Sequence, residues 1–408
     1  MCECGSPLAG EVACFAKQSK RVRTSPPLAP FRHMPYPPVI MTANLAGATA
    51  TIDLAALKAN YLLLARKAKT AHTAVAIKGD AYGLGVKPVA KTFWSAGCRS
   101  FYVARPEEGV TLRNILPKAS ITILDGLYEG EAAFYRKHQL IPALTTLSQI
   151  RDWAKNGKGE PCSLHVDTGI NRAGLQPQDW LAFTGDEKLI RTLNIRMLMS
   201  HLACGDDNTS PMNQQQLDKF KSIHAGVPHL KASLANSPGI FLGKPYHFNE
   251  VRPGVALYGG NPTPYQKNPM KPVVTLEARV LQIRNIRQGE TVGYSATWTA
   301  PRPTKIAIIA AGYADGVARK LSSHQQGGPA QVYLACQRCP IVGRVSMDMM
   351  TIDVTDVPER KLAKTTHAEL FGKRIPIDEA AGWAGTISYE LLTHLGKRYA
   401  RRYSPAES

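Results

Sequence analysis

Short apolar runs alternate with helix-compatible stretches from about residue 49 onward. The runs are continuously apolar, which is typical of parallel strands buried on both faces. Eight strands are predicted, at Thr73–Ile77, Ser100–Ala104, Ile121–Leu124, Ile141–Thr145, Ser163–Asp167, Ile195–Ser200, Lys231–Ala235 and Val255–Tyr258. Helices are predicted between them at Leu54–Ala68, Pro106–Ile115, Leu147–Asn156 and Pro211–Ala225. Strict alternation of strands and helices in this number predicts an α/β fold of the TIM-barrel type, a (β/α)8 barrel.

The pattern changes after Pro272. Strands bounded by Gly or Pro follow one another without long helices between them, and they lie at Val273–Arg284, Lys305–Ala310, Val332–Leu334 and Met350–Val354. One late helix is predicted at Ile387–Leu395. The sequence therefore predicts a barrel over residues 48–272 and a mainly antiparallel β domain over residues 273–408. A short strand at Thr49–Asp53 precedes the barrel and could pair with either part.

Residues 1–47 lack this patterning and contain three cysteines, several prolines and a short basic run. No apolar segment follows the basic residues, so the stretch does not fit a secretory signal. Two interpretations remain open. The stretch is a disordered extension, or translation begins at Met41.

Composition narrows the class of protein. The chain has 408 residues with 44% hydrophobic content, which excludes disorder over its whole length. No apolar window is long enough to span a membrane. The net charge is +19, but the basic residues are scattered and aromatic residues are only 7%, so we expect no nucleic-acid partner and a surface suited to small anionic ligands.

Eight cysteines in a chain of this length indicate a reduced, cytoplasmic protein. Cys336 and Cys339 form a single C-x-x-C pair, whereas a zinc site needs two more ligands. We therefore expect no metal site.

Polar and charged residues follow the predicted strands, at the barrel face where TIM-barrel enzymes carry their active sites. They are Lys78, Arg105, Asp125, residues 168–172, His201, Asn236, Ser237 and Arg252. An amine, an imidazole, guanidinium groups and hydroxyls at one mouth favour an anionic ligand with many hydrogen bonds.

Lys78 follows the apolar run Ala74–Ile77 directly. An amine beside an apolar wall and near other cations has a lowered pKa and can attack an aldehyde. From position alone, the alternative is a surface lysine whose aliphatic stem covers apolar surface.

The residues on either side of Lys78 form a more specific motif. The segment Ala-Val-Ala-Ile-Lys78-Gly-Asp-Ala-Tyr82-Gly-Leu-Gly resembles the pyridoxal-phosphate lysine motif of alanine racemases. More motifs resemble that family in the family's order: His165-Val-Asp-Thr-Gly-Ile-Asn-Arg172, Ser200-His201-Leu-Ala, Ala235-Asn-Ser237, Val251-Arg252-Pro-Gly254, Val292-Gly-Tyr294-Ser-Ala, Gly312-Tyr-Ala-Asp-Gly, Val345-Ser-Met347-Asp-Met and Thr386-Ile-Ser-Tyr389-Glu. The resemblance covers residues 48–403.

The resemblance implies a homodimeric isomerase that interconverts L-alanine and D-alanine, and so supplies D-alanine for peptidoglycan or interconverts it in catabolism. Pyridoxal 5'-phosphate would form a Schiff base with Lys78. Its phosphate would be held by Tyr82, Ser237, Tyr389 and backbone N–H groups near Gly254. Arg252 would face the pyridine nitrogen.

Racemisation needs one base on each face of the substrate. The resemblance assigns Lys78 to the proton of D-alanine and Tyr294 to that of L-alanine, with His201 assisting Tyr294 by hydrogen bonding. Arg172 and Met347 would line the substrate side. The family's β domain reaches the barrel mouth of the other subunit, so each site would combine Lys78 of one chain with Tyr294 of its partner.

One position departs from the family pattern. Many members carry a carbamate-modified lysine that braces the arginine equivalent to Arg172, and this chain has His165 there. Histidine forms no stable carbamate. An anion, a water molecule or Asp167 could position Arg172 instead.

Other functions remain open at this stage. A racemase of broad specificity would share the fold and cofactor and differ in pocket size. A non-catalytic pyridoxal-phosphate carrier would need neither the β domain nor Tyr294. A decarboxylase of the same plan would be expected to place an acid, and not Arg252, at the pyridine nitrogen.

Overall fold

The computed structural model describes residues 46–322 and 330–405. Its first part contains β1 (Ala48–Asp53), α1 (Leu54–Lys67), β2 (His72–Thr73), β3 (Val75–Ala76), α2 (Lys78–Tyr82), α3 (Val86–Ser95), β4 (Ser100–Val103), α4 (Pro106–Ile115), β5 (Ser120–Ile123), α5 (Ala132–Lys137), β6 (Ile141–Leu144), α6 (Leu147–Asn156), β7 (Pro161–His165), α7 (Pro177–Thr184), α8 (Glu187–Arg191), β8 (Asn194–Met199), α9 (Pro211–Ala225), β9 (Ala232–Ser233) and β10 (Glu250–Val251).

The second part is richer in strands. It contains β11 (Val274–Ile286), β12 (Thr291–Val292), β13 (Trp298–Thr299), β14 (Thr304–Ile309), β15 (Gln331–Leu334), β16 (Gln337–Pro340), β17 (Met350–Asp353), α10 (Glu359–Leu362), β18 (His367–Phe371), α11 (Ile377–Trp383), α12 (Ser388–Thr393) and β19 (Ala400–Ser404). Short 3-10 turns lie at Pro238–Ile240, Lys244–Tyr246, Val255–Tyr258, Tyr294–Ala296, Tyr313–Asp315 and Arg319–Leu321.

The first sheet is parallel and closes into a barrel. Its strand order is β3-β4-β5-β6-β7-β8-β9, and β10 pairs with β2 in parallel. Two backbone bonds join the stretch around β10 to the stretch around β9, from Asn249 N to Ala232 O and from Arg252 N to Ala235 O, both 2.9 Å. Ala74 N donates to Val251 O at 2.9 Å on the other side. The predicted TIM-like barrel is confirmed.

The last predicted strand is wrong. Val255–Tyr258 is a buried 3-10 turn that follows Gly254, and the strand is the two-residue β10. The apolar run reflects packing of that turn, since all four of its residues are buried. The true strand was concealed because it carries a glutamate, Glu250, in the barrel.

The predicted helices at Pro106–Ile115, Leu147–Asn156 and Pro211–Ala225 are confirmed with those bounds. Helix α1 shows how the sequence sets a boundary. Asp53 ends β1, and its side chain accepts a hydrogen bond from Ala56 N at 2.8 Å, which caps the helix. Leu57 and Leu64, two turns apart, are fully buried. Burial of each such leucine stabilises the fold by roughly 1.5–3 kcal/mol.

The second sheet has the order β16-β15-β18-β11-β1-β19, with β14 joining β11 to β17. Its pairs are antiparallel except for β1 with β19, which confirms the mainly antiparallel β domain. Strand β1 therefore pairs within this sheet, between Val274–Ile286 and Ala400–Ser404. The open question of its partner is settled in favour of the C-terminal sheet.

The prediction for residues 1–47 lies outside the described residues, except at Ala46 and Gly47. Gly47 O accepts a backbone bond from Arg279 N at 2.8 Å. Across residues 46–322 and 330–405, we find no helix with the length and apolar character of a membrane span.

Candidate active site

Lys78 lies at the carboxyl end of the first barrel strand, where the backbone enters the left-handed region. Gly79, Asp80 and Ala81 all have left-handed dihedral angles, with φ of 63°, 53° and 57°. Left-handed backbone costs a residue with a Cβ about 1–2 kcal/mol, and such strain clusters at functional sites. The turn closes through bonds from Ala81 N to Ile77 O at 3.0 Å and from Gly83 N to Gly79 O at 2.7 Å.

Glu108 on α4 anchors this strained turn. One carboxylate oxygen accepts from Gly79 N at 2.6 Å, and the other accepts from Ala104 N and Arg105 N at 2.8 and 3.1 Å. The carboxylate thus joins the loops after two neighbouring barrel strands. Sequence reasoning missed Glu108, although a glutamate at the third helical position is a known signal of backbone capping.

The surroundings of the Lys78 amine favour its neutral form. Partial burial lowers the pKa of Lys78, and the positive charge of Arg172 acts in the same direction. The carboxylates of Glu108 and Asp125 oppose that shift. A neutral amine is the form that attacks an aldehyde or accepts a proton.

A cradle of hydrogen-bond donors follows the barrel strand next to the one that carries Lys78, where Ala76 N donates to Pro253 O at 3.0 Å. The Ser237 hydroxyl, which is buried, accepts from Gly254 N at 2.8 Å and from Ala256 N at 3.3 Å. A Cβ on Gly254 would stand 2.3 Å from the Tyr82 hydroxyl oxygen. Only glycine lets that hydroxyl approach this stretch of backbone.

Three tyrosines frame this cradle. The rings of Tyr82 and Tyr258 stack with centroids 4.5 Å apart, and Tyr389 lies at 6.2 Å from Tyr82. Burial raises the pKa of Tyr82, and it raises the pKa of Tyr389 to about 12. Both hydroxyls are therefore donors at neutral pH, and together with the backbone N–H groups they suit a phosphate.

Arg252 is buried inside the barrel. Its guanidinium donates to the Ser233 hydroxyl and to Ser200 O, and its Cζ lies 5.8 Å from the centre of the Tyr102 ring. These contacts fix a permanent cation in the barrel core beneath the mouth.

Asp167 organises the loop that carries Arg172. Its Oδ1 accepts from Gly169 N, Ile170 N and Asn171 N at 2.8, 3.1 and 3.3 Å. Arg172 itself is exposed, and no side-chain hydrogen bond from it is present among the described residues. Asp167 thus sets the backbone position of Arg172 and makes no direct contact with its guanidinium.

Two histidines lie beside these cations. His165 is buried, and both of its ring nitrogens are without a hydrogen-bond partner among the described residues. Burial, with Arg252 and Arg172 nearby, lowers its pKa to about 4. The pKa of His201 falls well below its usual value for the same reasons, and its Nε2 lies 3.4 Å from Asn236 Nδ2. Both histidines are therefore neutral at neutral pH.

Gln216 on α9 holds the His201 loop. Its amide nitrogen donates to His201 O at 2.9 Å and to the Thr168 hydroxyl at 3.1 Å, while its oxygen accepts from Ala203 N at 2.8 Å. Gln216 is a second supporting residue that sequence reasoning missed. Its signal, a polar residue on the buried face of a predicted helix, is weak.

Tyr294 and Met347 lie apart from this group, on the β domain. They expose 70% and 53% of their surface. No hydrogen bond or ring contact within the described ranges joins either to the barrel mouth. Tyr294 stands on a 3-10 turn in which Ser295 has a φ of 61°, and the Ser295 hydroxyl accepts from Arg344 at 3.0 Å.

Other predicted mouth residues have separate roles. Arg105 faces Glu107 at 4.0 Å on the surface, and Asp125 accepts from the Tyr128 hydroxyl at 3.2 Å. Cys336 is exposed and Cys339 is buried. The residues that the structure describes contain no cluster of three or more His, Cys, Asp or Glu side chains arranged for a metal ion.

The sequence matches two family models, one described as the alanine racemase N-terminal domain over residues 52–262 and one as the alanine racemase C-terminal domain over residues 273–403. An alanine racemase of Methylobacterium nodulans is 44% identical over 373 residues, covering 90% of this chain and 99% of that protein. A biosynthetic alanine racemase of Agrobacterium fabrum is 42% identical over 367 residues, covering 88% of this chain and 94% of the relative.

Solved structures of alanine racemases superpose on this chain. The alanine racemase of Bartonella henselae with covalently bound pyridoxal phosphate is 39% identical and superposes with a TM-score of 0.83, covering 88% of this chain and all of that chain. The biosynthetic alanine racemase of Pseudomonas aeruginosa is 32% identical, with a TM-score of 0.81 and the same coverage.

Proposed function

The chain belongs to the alanine racemase family, and from that premise we propose that it interconverts L-alanine and D-alanine with pyridoxal 5'-phosphate as cofactor. One observation carries the proposal. A lysine with a lowered pKa and a phosphate cradle that only glycine permits share one barrel mouth. An amine for the aldehyde and neutral donors for the phosphate fit this cofactor.

The cofactor-binding residues fall into three groups. Lys78 would hold the aldehyde carbon. Tyr82, Ser237, Tyr389 and the N–H groups at Gly254 and Ala256 would hold the phosphate, and Arg252 would face the ring nitrogen. The chemistry that pyridoxal phosphate supplies when bound is withdrawal of electron density from the substrate Cα, which makes the Cα proton acidic.

Arg252 limits that chemistry. A guanidinium is permanently protonated and donates hydrogen bonds, but it has no proton to give to the ring nitrogen. The ring then withdraws less electron density than it would beside an acid. This suits simple proton exchange at Cα, because side reactions such as transamination need stronger withdrawal.

Two bases are needed, one on each face of Cα. We assign Lys78 to the proton of D-alanine and Tyr294 to the proton of L-alanine. Arg172 and Met347 would bind on the substrate side, with Arg172 near the substrate carboxylate. His201, which is neutral, would accept or donate a hydrogen bond and so assist the Tyr294 hydroxyl.

We further propose a homodimer in which Tyr294 of one subunit enters the barrel mouth of the other. Support comes from the exposure of Tyr294 and Met347 on the β domain while the other site residues surround Lys78. A two-fold dimer makes two equivalent sites of this kind.

The biological role we propose is supply of D-alanine for peptidoglycan in the cytoplasm. The Agrobacterium fabrum and Pseudomonas aeruginosa relatives are described as biosynthetic, and five cysteines of the described residues, Cys98, Cys162, Cys204, Cys336 and Cys339, are unpaired thiols. Free thiols are typical of a reducing compartment. Restored growth of a bacterium that requires external D-alanine would support this role.

The activity is tested with purified protein. Addition of L-alanine or D-alanine should give the racemic mixture, and borohydride should abolish both activity and the near-visible absorption of the lysine-bound cofactor. After reduction, the peptide that contains Lys78 should carry the cofactor mass. Absence of the band or of racemisation contradicts the proposal, and faster conversion of larger amino acids such as serine or lysine favours the alternative of a broad-specificity racemase.

A further inference from the structure

The guanidinium of Arg252 is buried without a carboxylate partner in direct contact. Only 5% of its surface is exposed, and its hydrogen bonds go to a serine hydroxyl and a backbone carbonyl. No ion pair of Arg252 is present among the described residues. A buried cation surrounded by neutral groups is unfavourable unless a counter-charge lies nearby.

Glu250 provides that charge from the same strand. Side chains two positions apart on extended backbone project to the same face. Residues 250 and 252 therefore share a face, which here is the barrel interior. Glu250 is 7% exposed. It lines a cavity of about 620 Å³ at the amino ends of the strands, opposite the mouth that carries Lys78. Arg99, Arg196 and Lys231 line the same cavity.

Two residues connect Glu250 to Arg252. The Tyr102 hydroxyl donates to Glu250 Oε1 at 2.5 Å, while the Tyr102 ring lies against the guanidinium. The Ser233 hydroxyl donates to the backbone carbonyl oxygen of Glu250 at 2.6 Å and accepts from Arg252 Nη1, so this second contact does not involve the carboxylate. Burial lowers the pKa of Arg252, whereas the neighbouring Tyr102 and Glu250 act to raise it. Burial and the charge of Glu250 raise the pKa of Tyr102, which keeps its hydroxyl a donor.

We propose that Glu250 is a positioning residue whose carboxylate, through Tyr102, holds the Arg252 guanidinium in place beneath the cofactor ring. Glu250 lies at the amino ends of the strands and would touch neither substrate nor cofactor at the mouth. The inference rests on the proposed function, in which Arg252 faces the ring nitrogen. It explains why a carboxylate occupies a barrel strand that is otherwise expected to be apolar.

The first test replaces the charge and keeps the shape. In the holoenzyme, Glu250→Gln should weaken pyridoxal phosphate binding and lower kcat by about tenfold each, a size found for coupled residues of one network. The absorption maximum of the bound cofactor should shift, because the field at its ring nitrogen changes. KM for alanine should change less than twofold, since Arg252 lies on the cofactor side. Glu250→Asp keeps the charge and should recover part of the loss.

The matched control is Glu160→Gln. Glu160 is an exposed carboxylate near the same end of the barrel, and it lines an adjoining cavity with Arg99 and Arg196. Its loss changes net charge by the same amount without touching Tyr102 or Arg252. Cofactor affinity, spectrum and kcat should therefore stay at the wild-type values.

Tyr102→Phe completes the test, because it removes only the hydroxyl and keeps the ring. It should shift the spectrum in the same direction by a smaller amount. The double variant should be no worse than Glu250→Gln alone, because both changes act through one connection. If Glu250→Gln fails to fold, Tyr102→Phe and Glu250→Asp carry the same comparison.

Three results would overturn the inference. Glu250→Gln could behave like Glu160→Gln, or the effects of Glu250→Gln and Tyr102→Phe could simply add in the double variant. The third is a fall in the thermal stability of Glu250→Gln while its cofactor affinity and spectrum stay unchanged. Failure of the proposed function looks different, because the wild type and Glu160→Gln would then also fail to racemise alanine. Cofactor affinity and spectrum decide the role of Glu250 in either case.

Discussion

The barrel mouth and the β-domain face that carries Tyr294 differ in how completely one chain surrounds them. Around the mouth, Ser237 and Arg252 are buried and hydrogen-bonded to residues of other strands. Tyr294 exposes 70% of its surface, and its turn has positive φ angles at Ser295 and Ala296. Strain beneath an exposed side chain indicates that the turn is held for a contact. One chain therefore buries the proposed cofactor half of the site, and we expect the proposed substrate half to need another surface.

Removal of the Lys78 amine is expected to have the largest effect on racemase activity. Lys78→Ala should lower racemase activity by at least about 1,000-fold, since one of two bases and the cofactor attachment are lost together. The absorption of the lysine-bound cofactor should vanish as well. The control is Lys87→Ala, at an exposed lysine on α3. Wild-type activity in Lys78→Ala would mean that the amine is not the site of attachment.

Mixing two inactive variants tests whether the halves belong to different chains. Lys78→Ala and Tyr294→Phe are each expected to be nearly inactive, and they are refolded together in equal amounts. Random exchange makes half of the dimers mixed, and each mixed dimer has one intact site, so activity should recover to about a quarter of wild type. If both bases came from one chain, every site would keep a lesion. Rates no higher than the unmixed controls, with mixed dimers demonstrated, would exclude the shared site.

A smaller effect is expected from crowding the phosphate cradle. Gly254→Ala places a methyl group 2.3 Å from the Tyr82 hydroxyl oxygen, so one of them must move. We expect pyridoxal phosphate affinity to fall by about tenfold, equivalent to about 1.4 kcal/mol. Gly382→Ala on α11 is the matched control, because a Cβ there meets nothing within 4 Å. Equal affinities of the two variants, measured by cofactor titration, would place the phosphate elsewhere.

The smallest effect concerns His165. A neutral, buried imidazole cannot carry a stable carbamate, so the barrel half should need no dissolved carbonate. The racemase rate at fixed pH and ionic strength should be the same with and without added bicarbonate. A reproducible rise with bicarbonate would show that a carbonate-derived group assists Arg172 after all.

Patterns that depend on local chemistry were predictable, and contacts between distant residues were not. Three helices carry their predicted bounds because each begins at a proline or a capping threonine, Pro106, Thr146 and Pro211. The left-handed turn after Lys78 was not predicted, since Ala81 and Tyr82 give no signal for positive φ. Glu108 and Gln216 were missed because their partners lie on other elements.

The prediction of the last barrel strand was wrong for a related reason. A continuous apolar run predicts a buried strand. The strand at Glu250–Val251 breaks this pattern, because it contains a carboxylate whose partner, Tyr102, is 148 positions away. The site residues were located through motif resemblance, and their roles stay predictions until the variants are measured.

The pairing of β1 with both β11 and β19 has a consequence for how the chain is made. Thr49 lies opposite Glu277 on one side and Ala400 on the other. During synthesis β1 leaves the ribosome long before β11, and longer still before β19. Contacts so distant in sequence slow folding, and an unpaired strand edge is prone to aggregate. Strand β1 must therefore stay unpaired while the barrel segments are made, and a gene fragment that stops before residue 400 encodes a protein in which the β19 side of β1 is permanently open.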